Sequence, residues 1–206
     1  MRELSQQEHF WQGEFGDQYA GRNQGKPLIA ANLALFAKAL ARTSRVASLL
    51  ELGTNTGNNL QALHQLLPDC ALHGVEINAQ AQAYVQALEI ADVWHGSLFD
   101  YPQQRTFDLA FTKGVLIHLA PELLPAAYAK LYALSRRYIL ICEYYNPAPV
   151  EVSYRGNSGN LFKRDFAGEM LDRYSDLHLL DYGFSYHRDP LFPVDDINWF
   201  LLEKRP

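Results

Sequence analysis

The chain has 206 residues, of which 48% are hydrophobic, and its formal net charge is -5. This length and apolar content suit a single domain with one core, and the negative charge provides no general attraction for nucleic acid. No apolar run approaches the roughly 18 residues of a membrane span, and the first residues lack the apolar core of a signal peptide. We therefore expect a soluble, cytoplasmic protein with no membrane partner.

The two cysteines lie in separate predicted elements. Cys70 follows a predicted helix, and Cys142 lies in a predicted buried strand. These positions indicate neither a disulfide framework nor a metal site. We expect two inert thiols and no bound metal.

The N-terminal part of the chain divides near Pro27. Ser5 to Trp11 has the length of a short helix, whereas residues 13–23 contain too many glycines for regular structure. Pro27 suits the first turn of a helix that continues to about Ala41 with a broad apolar face. We expect this longer helix to pack on a sheet.

An apolar segment that stops abruptly at a glycine organises the rest of the chain. Residues 46–52 have the pattern of a buried strand, and leucines at helical spacing predict a helix over 58–67. The turn between them, from Gly53 to Gly57, directs backbone N–H groups and the positive end of the helix dipole into one crevice. A carboxylate or phosphate is stabilised in such a crevice, so a nucleotide-like ligand is the first hypothesis.

Strands and helices then alternate as far as residue 144. The patterns predict strands over 71–77, 93–95, 107–112 and 138–144, and helices over 79–90 and 121–135. This alternation predicts a parallel sheet with right-handed crossovers and helices on both faces. Glu76 ends the second of the strands, 19 residues after Gly57. In dinucleotide-type folds an acid at about this distance hydrogen-bonds the ribose hydroxyls.

The C-terminal part of the chain has a different pattern. Residues 145–164 contain two prolines and two glycines and are predicted to lack regular structure. A loop of this length inside a compact domain is more often functional than not. A predicted helix over 165–174 is followed by strands over 177–186 and 197–203, and the short connection between these strands favours an antiparallel pair.

The residues quoted above resemble the motifs of class I S-adenosylmethionine-dependent methyltransferases over nearly the whole chain. Their first motif corresponds to Glu51-Leu52-Gly53-Thr54-Asn55-Thr56-Gly57, with Asn55 in place of the usual middle glycine. Asn tolerates positive φ better than other non-glycine residues. In the third motif, Gly96-Ser97-Leu98, Ser97 replaces the usual Asp, and residues 107–111 match the fourth motif.

This resemblance implies a fold and a reaction. The fold is a Rossmann-like α/β fold whose seven-stranded sheet is mostly parallel, with an antiparallel C-terminal hairpin. The reaction is methyl transfer from S-adenosyl-L-methionine, which leaves S-adenosyl-L-homocysteine, to an oxygen or nitrogen of a polar small molecule.

Several further segments resemble the pseudaminic acid biosynthesis-associated methylases. They are Phe10-Trp11, Gly13 to Asp17, Arg22-Asn23, the turn from Thr54 to Asn59, Lys113 to His118, and Leu161 to Phe166. This resemblance implies an anionic sugar or sugar acid of the nonulosonic type as a candidate acceptor. It also implies that residues 1–26 are a lid over a methyltransferase domain formed by residues 27–206.

The resemblance assigns most of the cofactor site to the ends of the predicted strands. Glu51 would orient the turn and the amino group of the ligand, Glu76 would bind the ribose, and Tyr19 with Arg22 or Asn23 would reach the methionine carboxylate. The full set of predicted cofactor residues is Tyr19, Arg22, Asn23, Glu51, Gly53, Thr54, Asn55, Gly57, Asn58, Glu76, Ile77, Gly96, Ser97, Leu98, Lys113 and Gly114.

The candidate catalytic residues are His118 and Tyr145, which follow predicted strands at the end where open α/β sheets bind ligands. His118 is a general base or an acceptor-binding group, and the alternative is a helix-start histidine that satisfies backbone groups. The candidate acceptor residues are Tyr144, Asn146, Tyr154, Arg155, Lys163, His187 and Arg188. For the cations among them, the alternatives are a solvated loop and a surface pair of Arg188 with Asp189.

Two other functions remain open from the sequence. The first is an RNA or tRNA methyltransferase on the same fold, which needs a basic face that the acidic composition does not favour. The second is a cofactor-binding protein that has lost catalysis and acts as a partner subunit.

Overall fold

The computed structural model describes residues 2–22, 25–153 and 159–205. Three residues of the predicted site, Asn23, Tyr154 and Arg155, lie outside these ranges.

The strands follow the predicted order along the chain. They are β1 (Ser48–Leu52), β2 (Ala71–Glu76), β3 (Asp92–His95), β4 (Phe107–Lys113), β5 (Ser135–Glu143), β6 (Val150–Glu151), β7 (Phe162–Lys163), β8 (Leu177–Ser185) and β9 (Ile197–Lys204). Seven of them form one sheet in the order β3-β2-β1-β4-β5-β9-β8. β1 to β5 pair in parallel, whereas β9 is antiparallel to both β5 and β8. The predicted mostly parallel sheet with an antiparallel C-terminal hairpin is therefore confirmed.

Helices surround this sheet. They are α1 (Gln6–Gln12), α2 (Glu14–Arg22), α3 (Lys26–Ala39), α4 (Asn58–Leu66), α5 (Ala79–Gln86), α6 (Leu124–Leu134) and α7 (Phe166–Arg173). Short 3-10 turns span Leu116–His118 and Pro121–Leu123. Within the ranges that the structure describes, no helix is long and apolar enough to cross a membrane.

The core has two layers because successive strand residues point to opposite faces of the sheet. Leu49 packs with the apolar residues of α3 and α4, whereas Leu50 packs with those of α6 and α7. Both faces of β5 are covered, and every residue from Tyr138 to Glu143 is buried. This two-sided burial explains the continuous apolar run of the central strand.

One prediction for the N-terminal segment is wrong. Residues 13–23 were expected to be irregular, yet Glu14 to Arg22 form α2. Gly16 serves close packing, because a Cβ atom there would overlap the carbonyl oxygen of Trp11 and approach Asn78 Nδ2. The helix forms because its aromatic residues pack on α1, and this tertiary contact outweighs the low helix propensity of glycine.

The long loop also differs from the prediction. Residues 145–164 were expected to have no regular structure, but β6 and β7 form a two-residue antiparallel pair within them. Val150 pairs with Lys163, and Glu151 pairs with Phe162. This pairing joins the two ends of the loop and holds Asn160 beside the sheet, where it contacts His118.

The order of the strands fixes where a ligand can bind. The chain runs outward from β1 to β3 on one side of the sheet and from β4 to β5 on the other. A crevice forms outside the carboxyl ends of the strands at such a switch point. The turns after β1, β2, β3 and β4 therefore meet at one edge of the sheet.

Candidate active site

A cavity of about 550 Å³ lies at this edge of the sheet, within the usual size range of small-molecule sites. Residues from the turns after β1 to β5, from α2 and from the β8–β9 connection line it. The predicted site residues in its lining are Tyr19, Gly53, Thr54, Asn55, Asn58, Glu76, Ile77, Gly96, Ser97, Leu98, Lys113, Gly114, His118, Tyr144 and His187.

The other predicted residues in the described ranges do not line this cavity. They are Arg22, Glu51, Gly57, Tyr145, Asn146, Lys163 and Arg188. The ring of Tyr145 packs 5.9 Å from that of Phe200, and Asn146 Nδ2 donates to the carbonyl of Ala148. Lys163 Nζ lies 5.0 Å from the centre of the ring of Tyr144, which does line the cavity.

The turn after β1 has the left-handed backbone that its sequence suggests. φ is 85° at Gly53, 46° at Asn55 and 72° at Gly57. A Cβ atom added at Gly53 would lie 2.5 Å from Val115 Cγ2, so only glycine fits there without a shift of Val115. The backbone N–H of Asn55 donates to Glu76 Oε2 at 2.6 Å, which ties the turn to the end of β2.

Glu51 is a fully buried carboxyl group directly beneath this turn. Asn59 Nδ2 donates to its Oε1 at 2.5 Å, and burial raises the pKa of Glu51 to about 8. Three buried oxygens at this turn have no hydrogen-bond partner in the described part of the chain, namely Glu51 Oε2, Asn55 Oδ1 and Asn59 Oδ1. Buried polar atoms are normally satisfied, so this cluster requires hydrogen-bond partners from a ligand or water.

Glu76 lies at the end of β2 and is held by the backbone. Its Oε1 accepts from the N–H of Asn78 at 2.8 Å, and its Oε2 accepts from the N–H of Asn55. Burial raises the pKa of Glu76 above its ordinary value. Each carboxylate oxygen has a second lone pair for another donor, because a carboxylate offers about four acceptor positions.

The turn after β3 is covered by α1. Ser97 donates its hydroxyl to Glu8 Oε1, and Arg2 pairs with the same carboxylate, with Nη1 2.8 Å from Oε2. Burial alone would raise the pKa of Glu8, but the hydrogen bonds from Arg2, Ser97 and Ser5 outweigh it and lower the pKa to about 2. We call Arg2, Glu8 and Ser97 the clasp.

Sequence reasoning missed Glu8, although it lines the cavity. The capping box formed by Ser5 and Glu8 was visible in the sequence and explains the start of α1. The contact with Ser97, 89 residues later, has no sequence signal.

The helices α1 and α2 form one wall through their aromatic residues. The ring of Trp11 lies 5.3 Å from those of Phe15 and Tyr19 and 4.8 Å from that of His118. Asn78 Nδ2 donates to Asp17 Oδ1 at 2.7 Å, which fastens α2 to the residues after β2. These two helices therefore cover the edge of the sheet where the cavity lies.

His118 is buried in a turn that Glu143 holds in place. The backbone N–H groups of Val115 and Leu116 donate to Glu143 Oε1 at 3.0 and 3.1 Å. Burial raises the pKa of Glu143 to about 7. His118 Nδ1 lies 2.6 Å from the carbonyl oxygen of Asn160, and burial lowers the pKa of His118 to about 4. The ring is thus neutral at pH 7, and Nδ1 carries the proton because its neighbour is a carbonyl oxygen.

The opposite wall comes from α3 and the β8–β9 connection. Its residues are Leu28, Ala31, Asn32, His187, Pro193, Val194, Asp195 and Ile197. Only His187 among these was predicted. The antiparallel prediction for β9 already placed the start of that strand at the ligand-binding edge, which was the available signal for the others.

A comparison with family models found a match for residues 49–137, to a model described as a methyltransferase domain. The matched range contains the turn after β1, Glu76, the turn after β3 and the 3-10 turn with His118. Residues 49–137 are therefore similar to a methyltransferase domain, and the prediction of a methyltransferase is confirmed. A comparison with curated proteins found no match.

Solved structures of methyltransferases have a similar fold. The magnesium protoporphyrin IX methyltransferase from Synechocystis PCC 6803 with bound SAM matches with a TM-score of 0.68 at 11% identity, over 100% of both chains. The 1,6-didemethyltoxoflavin-N1-methyltransferase from Burkholderia thailandensis matches with a TM-score of 0.71 at 15% identity, over 100% of this chain and 93% of that one.

A third similar structure is that of an amino pentose methyltransferase from Micromonospora echinaspora, also with bound SAM. Its TM-score is 0.63 at 13% identity, over 100% of both chains. At these identities the likeness establishes the fold, and the predicted class I fold is confirmed.

Proposed function

From a methyltransferase domain on a class I fold, we propose that this protein transfers a methyl group from S-adenosylmethionine to an oxygen or nitrogen of a polar small molecule. The observation that carries the proposal is that the turn after β1, Glu76 and the turn after β3 all line the same cavity. The similar structures that contain SAM support the choice of cofactor.

The unpartnered oxygens of Glu51, Asn55 and Asn59 fit the amino-acid part of this cofactor. An ammonium group carries three N–H donors and no acceptor, which suits the oxygens of Asn55, Asn59 and the ionised form of Glu51, and a cation at this place favours that ionised form. Asn59 lines the cavity and connects it to the buried Glu51. We assign the methionine amino group to this side of the turn.

The remaining cofactor groups are assigned to the other lining residues. Glu76 would accept from the ribose hydroxyls, and Gly96, Ser97 and Leu98 would border the adenine. Tyr19 and Lys113 line the same cavity, and Lys113 supplies a positive charge for the methionine carboxylate. Arg22, which is exposed and outside the lining, is a weaker candidate for that contact.

The cofactor supplies a methyl group on a positively charged sulfur, and the protein has to align the acceptor with it and exclude water. Trp11, packed against His118, closes the wall nearest the acceptor side of the cavity. His118 lines the cavity beside Trp11 and keeps a neutral ring at pH 7. This position makes it an acceptor-binding residue in our proposal.

The finer choice of acceptor is a sugar acid of the nonulosonic type. Its support is the sequence resemblance to the pseudaminic acid biosynthesis-associated methylases, together with the positive charge of Lys163 against the ring of Tyr144. Arg164, in contrast, is already paired with Glu169. His187 and Asp195 line the same end of the cavity and suit an amino group, so amino sugars belong in the test.

Calorimetry with S-adenosylmethionine and S-adenosylhomocysteine tests the first half of the proposal. We expect both to bind in the micromolar range, and Glu76→Ala to weaken binding by at least tenfold. Glu122→Ala, at an exposed position outside the cavity, is the matched control and should bind as the parent does. Absence of binding at millimolar concentration would contradict the proposal.

Transfer of a labelled methyl group tests the second half. The acceptor probes are N-acetylneuraminic acid, free amino sugars and a small-molecule cell extract. We expect label in a polar small molecule. If both cofactor forms bind but nothing becomes labelled, the protein is a non-catalytic cofactor-binding subunit.

A further inference from the structure

The β8–β9 connection carries an ordered pair of titratable side chains at the cavity. His187 follows β8 and lines the cavity, and Asp196 directly precedes β9. Ser185 pairs with Ile197 in the sheet, so both ends of this connection are anchored. The backbone on either side of the pair is therefore held in place by the sheet.

The geometry of the pair defines the state of the histidine. Asp196 Oδ1 lies 2.8 Å from His187 Nδ1 and also accepts the backbone N–H of His187 at 3.1 Å. The two contacts fix the carboxylate relative to the ring. A carboxylate at Nδ1 places the proton there and leaves Nε2 as the basic atom. His187 Nε2 has no hydrogen-bond partner in residues 2–22, 25–153 and 159–205.

The other histidine of the cavity is less suited to take a proton. His118 is buried, its Nδ1 faces a carbonyl oxygen instead of a carboxylate, and burial lowers its pKa to about 4. A general base works best when its pKa lies near the operating pH. His187 is half exposed, and Asp196 is placed to stabilise its protonated ring.

We propose that His187 is the general base of the methyl transfer and that Asp196 is its positioning residue. This assignment rests on the proposed function. The acceptor oxygen or nitrogen forms the new bond to the methyl carbon, and the carbon–sulfur bond breaks with its electron pair on sulfur. The acceptor proton passes to His187 Nε2, and the positive charge of the ring is then balanced by Asp196.

Aromatic and charged groups surround the pair of His187 and Asp196. The centre of the Tyr186 ring lies 4.7 Å from the centre of the His187 ring. The positive charge of Lys163, in β7, helps to lower the pKa of Asp196. Asp195 adds a second carboxylate to the same stretch of wall. The hydrogen bonds from His187, with the help of Lys163, keep the pKa of Asp196 below its ordinary value, which favours the ionised carboxylate.

The decisive variants are His187→Gln and Asp196→Asn, with His178→Gln as the control. His178 is an exposed histidine of β8 outside the cavity lining. With labelled S-adenosylmethionine and the probe that the parent methylates in the transfer assay, we expect His187→Gln to lower kcat roughly 100- to 1,000-fold. The affinity for S-adenosylhomocysteine should stay within twofold. Asp196→Asn should lower kcat about tenfold, and His178→Gln should have no effect.

Two readouts separate a base from a structural residue. The acidic limb of the kcat/KM profile should be present in the parent and absent in His187→Gln, and added imidazole should restore part of the activity of His187→Gly. Full activity of His187→Gln, or no rescue by imidazole, overturns the assignment. Failure of the parent to bind S-adenosylhomocysteine would instead overturn the proposed function.

Nitrogen NMR of the ring tests the positioning role without any acceptor. In the parent, His187 should hold its proton on Nδ1 when neutral, and Asp196→Asn should release it to a mixture of tautomers. Identical spectra of the His187 ring in the two proteins would overturn the role of Asp196.

Discussion

At the scale of single residues, Glu51 makes stability depend on pH. Its folded-state pKa of about 8 lies above the ordinary value of 4.5, so the folded protein holds the proton more tightly than the unfolded chain. The stabilisation from this proton is complete below about pH 4.5 and is lost as pH rises through about 8. We expect the free energy of unfolding to fall by a few kcal/mol across this window.

Replacement of Glu51 by Gln tests this expectation, because Gln keeps an oxygen acceptor for Asn59 without titrating. The melting temperature of Glu51→Gln should fall less than that of the parent between pH 5 and pH 9. Glu143, whose pKa is about 7, adds a slope of the same sign in both proteins. Glu122→Gln, at an exposed position, is the control. Equal slopes for Glu51→Gln and the parent would show that Glu51 is ionised in the folded state.

Asn55 occupies a conformation that most side chains avoid, with φ at 46°. Glycine adopts it freely, whereas alanine pays a steric cost of about 1–2 kcal/mol. We expect Asn55→Gly to unfold in urea with nearly the free energy of the parent and Asn55→Ala to lose about 1 kcal/mol. The two variants serve as controls for each other, and equal losses would contradict the conformational explanation.

At the scale of elements, the clasp of Arg2, Glu8 and Ser97 holds α1 over the cavity. Glu8→Gln removes the charge that Arg2 pairs with, and charge-assisted hydrogen bonds are about twice as strong as neutral ones. On the proposed function, we expect S-adenosylhomocysteine to dissociate about tenfold faster from Glu8→Gln in stopped-flow measurements. Glu14→Gln, on the exposed side of α2, is the control. An unchanged dissociation rate would mean that ligand exchange does not require α1 to move.

The main elements could be predicted because each has a local signal. The turn at Gly53 and the continuous apolar run of β5 located the centre of the sheet, and the short final connection gave its antiparallel hairpin. The helix α2 could not be predicted, since its glycine at position 16 is explained by contacts with Trp11 and Asn78. Whether such a glycine-containing segment forms a helix depends on contacts with other parts of the chain, which a local sequence pattern does not show.

The candidate site also contains residues that the sequence could predict and residues that it could not. The turn, Glu76 and His118 follow strands directly, so their place at one edge could be inferred from topology. Glu8 reaches the cavity only through its contact with Ser97. The partnership of His187 with Asp196, nine positions apart, depends on the path of the β8–β9 connection, which no local pattern specifies.

At the scale of the whole molecule, the net charge of -5 bears on the RNA alternative. Nucleic-acid binding without a basic face gains little from counterion release. We expect no retention of tRNA in filter binding at 150 mM salt and micromolar protein, with a known tRNA-binding protein as the positive control. Micromolar or tighter binding that falls steeply with salt would revive an RNA substrate.

The contact between Trp11 and His118 gives the protein an optical reporter of its own. Of the three tryptophans, Trp11 lines the cavity, whereas Trp94 packs against Tyr101 and Trp199 is buried in β9. Indole fluorescence responds to neighbouring groups and to water, so emission from Trp11 should change when the cavity fills or α1 lifts. A Trp11→Phe variant would remove that response, and ligand entry could then be followed in the unlabelled chain.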